Sequence, residues 1–234
     1  MENRRQSGFT IIELIIVVVL IAILSMIAIP NMLSARIAAN ETSAIASLRT
    51  MSSAQMQFQV AARADVDNDG TGEFGTLSEL SGVRAGRTDA SGTTAATYIH
   101  PGVLSQTFGI LNANGEGKRS GYLYRAFLPG QGGGNATEDD ATGNLTGTVD
   151  VDSSETIWCV YAWPESATRS GNRAFFINQR GDVLATIGVH SGTQAISTTN
   201  AGAAFAVGGD VTEITGDLAI GEVGLDGFTW KTAR

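Results

Sequence analysis

Residues Phe9 to Ile29 read FTIIELIIVVVLIAILSMIAI, an apolar run of 21 residues with one charged side chain, Glu13. Its many β-branched residues do not make it a buried strand, because ordinary strands are far shorter. As a helix it would rise roughly 30 Å, the thickness of a bilayer core. A transmembrane helix is the expectation. Arg4 and Arg5 precede the run, against Arg36 on its far side. The positive-inside rule therefore puts residues 1–8 in the cytoplasm and the bulk of the chain outside the cytoplasmic membrane. A secretory signal peptide would be cut behind its apolar run, after an Ala-x-Ala-like pattern. Ala28-Ile29-Pro30-Asn31 lacks that pattern, and the small pair Ser7-Gly8 lies before the run instead.

Pro30 withholds one backbone donor and would, alone, kink or end the helix. The residues beyond it argue for continuation. Asn31 to Ala62 contains no Gly or Pro and is rich in Ala, Leu, Met and Gln. Ile37, Glu41, Ile45, Leu48, Ser52, Gln55 and Phe58 recur at helical spacing, with Ala38, Ala44, Met51 and Ala62 beside the apolar members. This is an amphipathic stripe able to pack on a sheet later in the chain. A helix from Phe9 to about Ala62 would measure roughly 80 Å. Glycine marks its end: Gly8 is the only glycine before residue 70, and the other 28 lie from Gly70 onward. Glycine disfavours helix and supplies turns, so residues 63–234 should be strands and loops.

The segment Arg4-Arg5-Gln6-Ser7-Gly8-Phe9-Thr10-Ile11-Ile12-Glu13-Leu14 resembles the prepilin motif of type IV pilins and type II secretion pseudopilins. A short basic leader, Gly8 before the cut, Phe9 after it, Glu13 four residues beyond Phe9 and Pro30 in the helix all coincide. The resemblance covers about the first 55 residues. It implies removal of residues 1–8 by a prepilin peptidase at the cytoplasmic face and N-methylation of Phe9. It further implies polymerisation through the helix (residues 9–29 as transmembrane and assembly segment, 30–62 as its amphipathic continuation). Partners would be further copies of the chain, minor pilins or pseudopilins, the peptidase and the inner-membrane assembly platform. The family sets such a glutamate against the new amine of a neighbouring subunit. An ionised carboxylate in a membrane span costs at least ~2.5 kcal/mol without a partner, which gives Glu13 that role physical weight. Snorkelling of Glu13 towards Arg5 is the plainer alternative.

The family's fold is α+β, a helix spine packed on an antiparallel sheet. Strand character in the remainder agrees: Thr97–Ile99, Tyr122–Leu128, Thr156–Trp163, Ala174–Asn178 and Val183–Thr186. The clearest hairpin joins Arg173–Asn178 to Asp182–Thr186 through Gln179-Arg180-Gly181. Ala201–Ala206 and Val223–Trp230 are expected to pair at the sheet edge. Gly130–Gly134 and Thr137–Thr148 read as exposed loop.

Asp65-Val-Asp67-Asn-Asp69-Gly70-Thr71-Gly72-Glu73 carries three carboxylates at alternate positions and then glycine, the opening of an EF-hand calcium loop. Its twelfth position is Thr76 rather than Glu, with Glu73 at the ninth and Glu79 three residues late. Calcium is the cofactor expected if Asp65, Asp67, Asp69, the Thr71 carbonyl and Glu73 coordinate. A solvated acidic turn closing the long helix is the alternative. Calcium sites of major pseudopilins lie elsewhere in the chain, so the resemblance does not carry over to these residues.

No enzyme is expected. His100 and His190 stand alone without metal-ligand spacing, no serine occupies a Gly-x-Ser-x-Gly elbow, and Cys159 lies inside an apolar strand. Trp158, Tyr161 and Trp163 are expected in the core or at an interface. A catalytic domain merely tethered to the membrane would need a flexible linker after the span and neither Gly8-Phe9 nor Glu13; the chain has the reverse. With 15 Lys+Arg against 23 Asp+Glu, a net charge of −8, no nucleic-acid partner is expected. Loss of residues 1–8 would take the formal charge to −9. A single cysteine forbids the intramolecular disulfide of many pilins. That favours a pseudopilin in a periplasmic filament over a type IV pilin in a surface fibre for adhesion, motility or DNA uptake.

Overall fold

The computed structural model of the protein describes residues 8–94, 101–188, 190–193 and 195–233. Residues 1–7, Arg4 and Arg5 among them, the expected strand at Thr97–Ile99 and His100 lie outside the described residues. Helix α1 spans Ile11–Val60, 50 residues, and runs through Pro30 without interruption. It stops at Ala61, whose N–H still reaches the Gln57 carbonyl at 3.2 Å, because Ala62 takes a left-handed φ of 42°.

The helix has two regimes. Its large apolar side chains from Phe9 to Leu33 are exposed, whereas Glu41, Ala44, Ser47, Leu48, Met51, Ala54, Gln55 and Phe58 are buried. The buried positions recur three and four apart, so they form one face, the stripe read from the sequence. Ile37 and Ile45 flank it half-buried, and Ala38 and Ala62 are exposed.

That face packs on an antiparallel sheet. Its strands are β1 Gly117–Arg119, β2 Tyr122–Pro129, β3 Asn135–Glu138, β4 Leu145–Thr146, β5 Cys159–Pro164, β6 Ala174–Asn178, β7 Leu184–Thr186 and β8 Lys231–Thr232. Their order is β4-β3-β2-β5-β6-β7-β8, with β1 pairing the first half of β2. The hairpin of β6 and β7 forms in the register Ala174↔Thr186 and Phe176↔Leu184, turned at Gly181 with φ 79°. Two short helices, α2 Leu77–Leu80 and α3 Val151–Ser154, lie in the connections.

Both sheet faces are covered, which is why β2, β5 and β6 are buried along their whole length. Tyr122, Tyr124, Ala126, Val160, Phe175 and Ile177 meet Leu48, Met51 and Phe58 of α1. The alternate residues Leu123, Phe127, Tyr161, Trp163 and Phe176 meet Ile196, Ala203, Phe205 and Trp230 on the other side. The segments 201–206 and 223–230 therefore do not extend the sheet edge as expected. They lie across this second face, joined at the single bridge Ala206↔Gly224, and β8 takes the edge beside β7. The aromatic face of β5 and β6 is too apolar to leave in water, so the glycine-rich tail folds over it.

A second correction concerns 137–148. Gly130–Gly134 is a turn, but β3 and β4 come after it, and Ala136, Thr137 and Glu138 are buried. The Thr137 hydroxyl donates to the Ala126 carbonyl at 2.5 Å, a bond that lets a polar residue enter the sheet.

Candidate functional site

Two places collect the residues singled out in the sequence. The first is the start of α1. Gly8 and Phe9 are exposed, and Thr10 caps the helix. The Glu13 carboxylate accepts from the Thr10 N–H at 3.0 Å and from its hydroxyl at 2.8 Å, while the Glu13 N–H donates to Thr10 Oγ1 at 3.3 Å. This reciprocal arrangement is a capping box, which satisfies donors the first helical turn leaves open. Thr10-Ile-Ile-Glu13 carries its spacing in plain view, so Thr10 is a residue the sequence reading missed and had a signal for. Bonded to Gly8, Phe9 has no free amine, and Glu13 is held by its own chain.

Behind it, Pro30 lies within the exposed apolar stretch, and the Ser34 hydroxyl bonds its carbonyl at 3.1 Å. Further along, polar side chains lock the helix to the domain. Glu41 accepts from the Asn172 N–H at 2.9 Å and from Arg173 Nε at 2.7 Å. Gln55 exchanges two bonds with the Gly75 backbone, at 2.7 and 2.9 Å.

The second place is the acidic loop at the far end of α1. Oxygens of Asp65, Asp67 and Asp69 lie within 4.8 Å of one another. Asp67 Oδ1 accepts from the Asp69 N–H at 3.3 Å and Asp69 Oδ1 from the Thr71 N–H at 2.7 Å. The loop turns through Asn68 at φ 60° and Gly70 at φ 92°. Gly72 passes so close to the Gln59 carbonyl that a side chain there would collide with backbone. Glu73 is fully buried, with Oε1 accepting the Val66 N–H at 2.8 Å. Burial, aided by the charge of Asp65, pushes its carboxyl up from the usual range, against the opposing pull of that hydrogen bond and Arg87.

A residue absent from the sequence reading joins this group. Glu155, just after α3, is pushed up by burial and then by the charges of Asp69, Asp67, Asp152 and Glu73. Two backbone links bring it there: the Phe74 N–H donates to the Ser154 carbonyl at 2.9 Å, and Gln59 Nε2 donates to the Glu155 carbonyl. No local pattern points to Glu155.

The remaining candidates are structural. His190 does not stand alone: it bonds Asp226 Oδ2 at 2.9 Å, and Trp230 Nε1–H donates to the same oxygen at 3.1 Å. This buried clasp holds the tail on the second sheet face. Cys159 is buried, and burial drives its thiol well above the ordinary range, so it carries no thiolate. Trp158, Tyr161 and Trp163 are core residues.

A family model described as the prokaryotic N-terminal methylation motif matches residues 3–29. The N-terminal region of the chain therefore carries this motif, at the head of the long apolar helix that packs on the sheet. Among curated proteins, the chain is similar to the type IV wide pilus major component PilA4 of Thermus thermophilus, 46% identical over 57 residues. That stretch is 24% of this chain and 44% of the relative, so the chain matches less than half the relative's length. No solved structure matches the chain.

Proposed function

We propose that the chain is a structural, non-catalytic filament subunit that polymerises through α1. The observation carrying this reading is an apolar surface from Phe9 to Leu33 that is left exposed among the described residues, beginning at the Gly8-Phe9 junction and including Glu13. In the membrane, lipid covers that surface. In a filament, the same surface of neighbouring copies would cover it. Cleavage after Gly8 by a prepilin peptidase would put an ammonium on Phe9, and methylation would come next. Glu13 would then exchange its contacts with Thr10 for the amine of a neighbour, neutralising both charges as the subunit joins. Residues 63–234 would be displayed outside the cytoplasmic membrane, with minor subunits and an inner-membrane platform as assembly partners.

Within this class, the lone buried Cys159 favours a periplasmic secretion pseudopilus. The wide-pilus relative favours a surface fibre. Electron microscopy of sheared surface material from wild-type cells, with exoprotein localisation in a deletion strain, separates them. Long fibres that vanish on deletion mark a pilus; exoproteins stranded in the periplasm, without long fibres, mark a pseudopilus. Absence of both phenotypes would refute the filament reading.

A further inference from the structure

We propose that the acidic loop and Glu155 together form a calcium site that staples the end of α1 to the turn between α3 and β5. The three aspartates alone would be an unremarkable solvated cluster. The case rests on what surrounds them. Asp65 Oδ1, Glu73 Oε2 and Glu155 Oε1 are all buried, and none has a hydrogen-bond partner. Glu73 is fully buried, yet only one of its two oxygens is used, by the Val66 N–H inside the loop. Buried carboxylate oxygens without donors are costly and rare, and these three lie in or next to segments packed at the loop whose aspartate oxygens gather within 4.8 Å of one another.

Protein cations do not fill that need. Among the described residues, no Lys or Arg forms an ion pair with Asp65, Asp67, Asp69, Glu73 or Glu155. Arg87, whose charge reaches Glu73, is engaged by Glu79 at 2.8 Å. Five carboxylates therefore share a corner of the molecule without a countercharge bound to them.

The donor chemistry selects the ion. Carboxylates of Asp65, Asp67, Asp69, Glu73 and Glu155, with the Thr71 carbonyl, offer about six hard oxygens, the lower bound of calcium coordination. Magnesium keeps most of its waters and uses one or two carboxylates, and softer metals prefer nitrogen or sulfur. The missing glutamate at position twelve of the EF-hand pattern is thus compensated from another element. Since Glu155 comes from beyond α3, binding would join two segments already linked by the Phe74–Ser154 and Gln59–Glu155 hydrogen bonds. The site does not depend on the filament reading.

The test is calorimetric titration of the full-length chain in detergent micelles, freed of divalent ions, with calcium chloride. One calcium per chain is expected, with affinity reduced at least ~10-fold in Glu155→Gln. The exposed Asp67→Asn variant should lose affinity likewise, guarding against misfolding of the more buried position. Asp210→Asn, exposed and in another loop, should bind as wild type. No saturable calcium uptake by wild type overturns the site, as does a loss below tenfold in either Glu155→Gln or Asp67→Asn, or an equal loss in Asp210→Asn.

Discussion

Single carboxylates carry the sharpest consequences. Glu13 has satisfied its hydrogen bonds within its own first turn, so the proposed assembly role would require a stronger competitor, the amine that cleavage before Phe9 would release. Replacing it with alanine removes both the cap and that attraction. Glu13→Ala is expected to abolish sheared filaments while the protein still fractionates with membranes; normal filament yield from that variant would refute the role. Glu138 makes a different prediction. It is buried in β3, accepts the N–H groups of Leu77 and Ser78 at 3.1 Å each, and burial pushes its carboxyl up to about 7. Because the folded state holds the proton more tightly than the unfolded chain, whose value is near 4.5, this group stabilises most at low pH. Its contribution falls as pH rises from about 4.5 to 7, by up to ~1.4 kcal/mol per unit, and is then level. Unfolding free energies of wild type and Glu138→Gln across that window should differ in slope, the variant lacking the decline. Glu13 is legible in the sequence because its motif is contiguous. Glu138 reads there as loop, because its donors come from α2, far away in the chain.

At the scale of elements, α1 is one helix with two solvents. The half from Phe9 to Leu33 is apolar on every side, and from Glu41 onward a single stripe is buried. Substitutions should separate along the same line. Leu48→Ala, in the core against the sheet, should cost about 2–5 kcal/mol of domain stability. Ile16→Ala, on the exposed half, should leave that stability unchanged and reduce filament yield. Tryptophan fluorescence during unfolding reads the first, since Trp158, Trp163 and Trp230 all lie in the sheet domain; sheared-fibre yield reads the second. An equal loss of stability from both would contradict the division. The stripe is legible because helical periodicity is a local property. Its polar members, Glu41 and Gln55, also fall on it by spacing, but the reason for their burial is not legible. Arg173 and the Gly75 backbone receive them, and only folding brings those groups near.

The whole molecule is a helix spine, a sheet and an irregular tail in three layers. If its biogenesis takes the prepilin route, removing the prepilin peptidase should leave a chain eight residues longer in the membrane fraction and no filaments. A full-size, abundant filament in that strain would refute the route. The sequence by itself determined the apolar span, the Gly8-Phe9-Glu13 motif, the helix running on past Pro30 and the β6–β7 hairpin. Each is a pattern within a window of tens of residues, where periodicity, charge and turn chemistry act directly. Tertiary structure alone decided that the tail covers the second sheet face instead of widening the sheet. It also decided that His190 meets Asp226, that 135–146 contributes two strands, and that Glu155 arrives beside the acidic loop. Those outcomes depend on burying apolar faces and pairing polar groups across long stretches of chain, and no local pattern records which distant partner will be there.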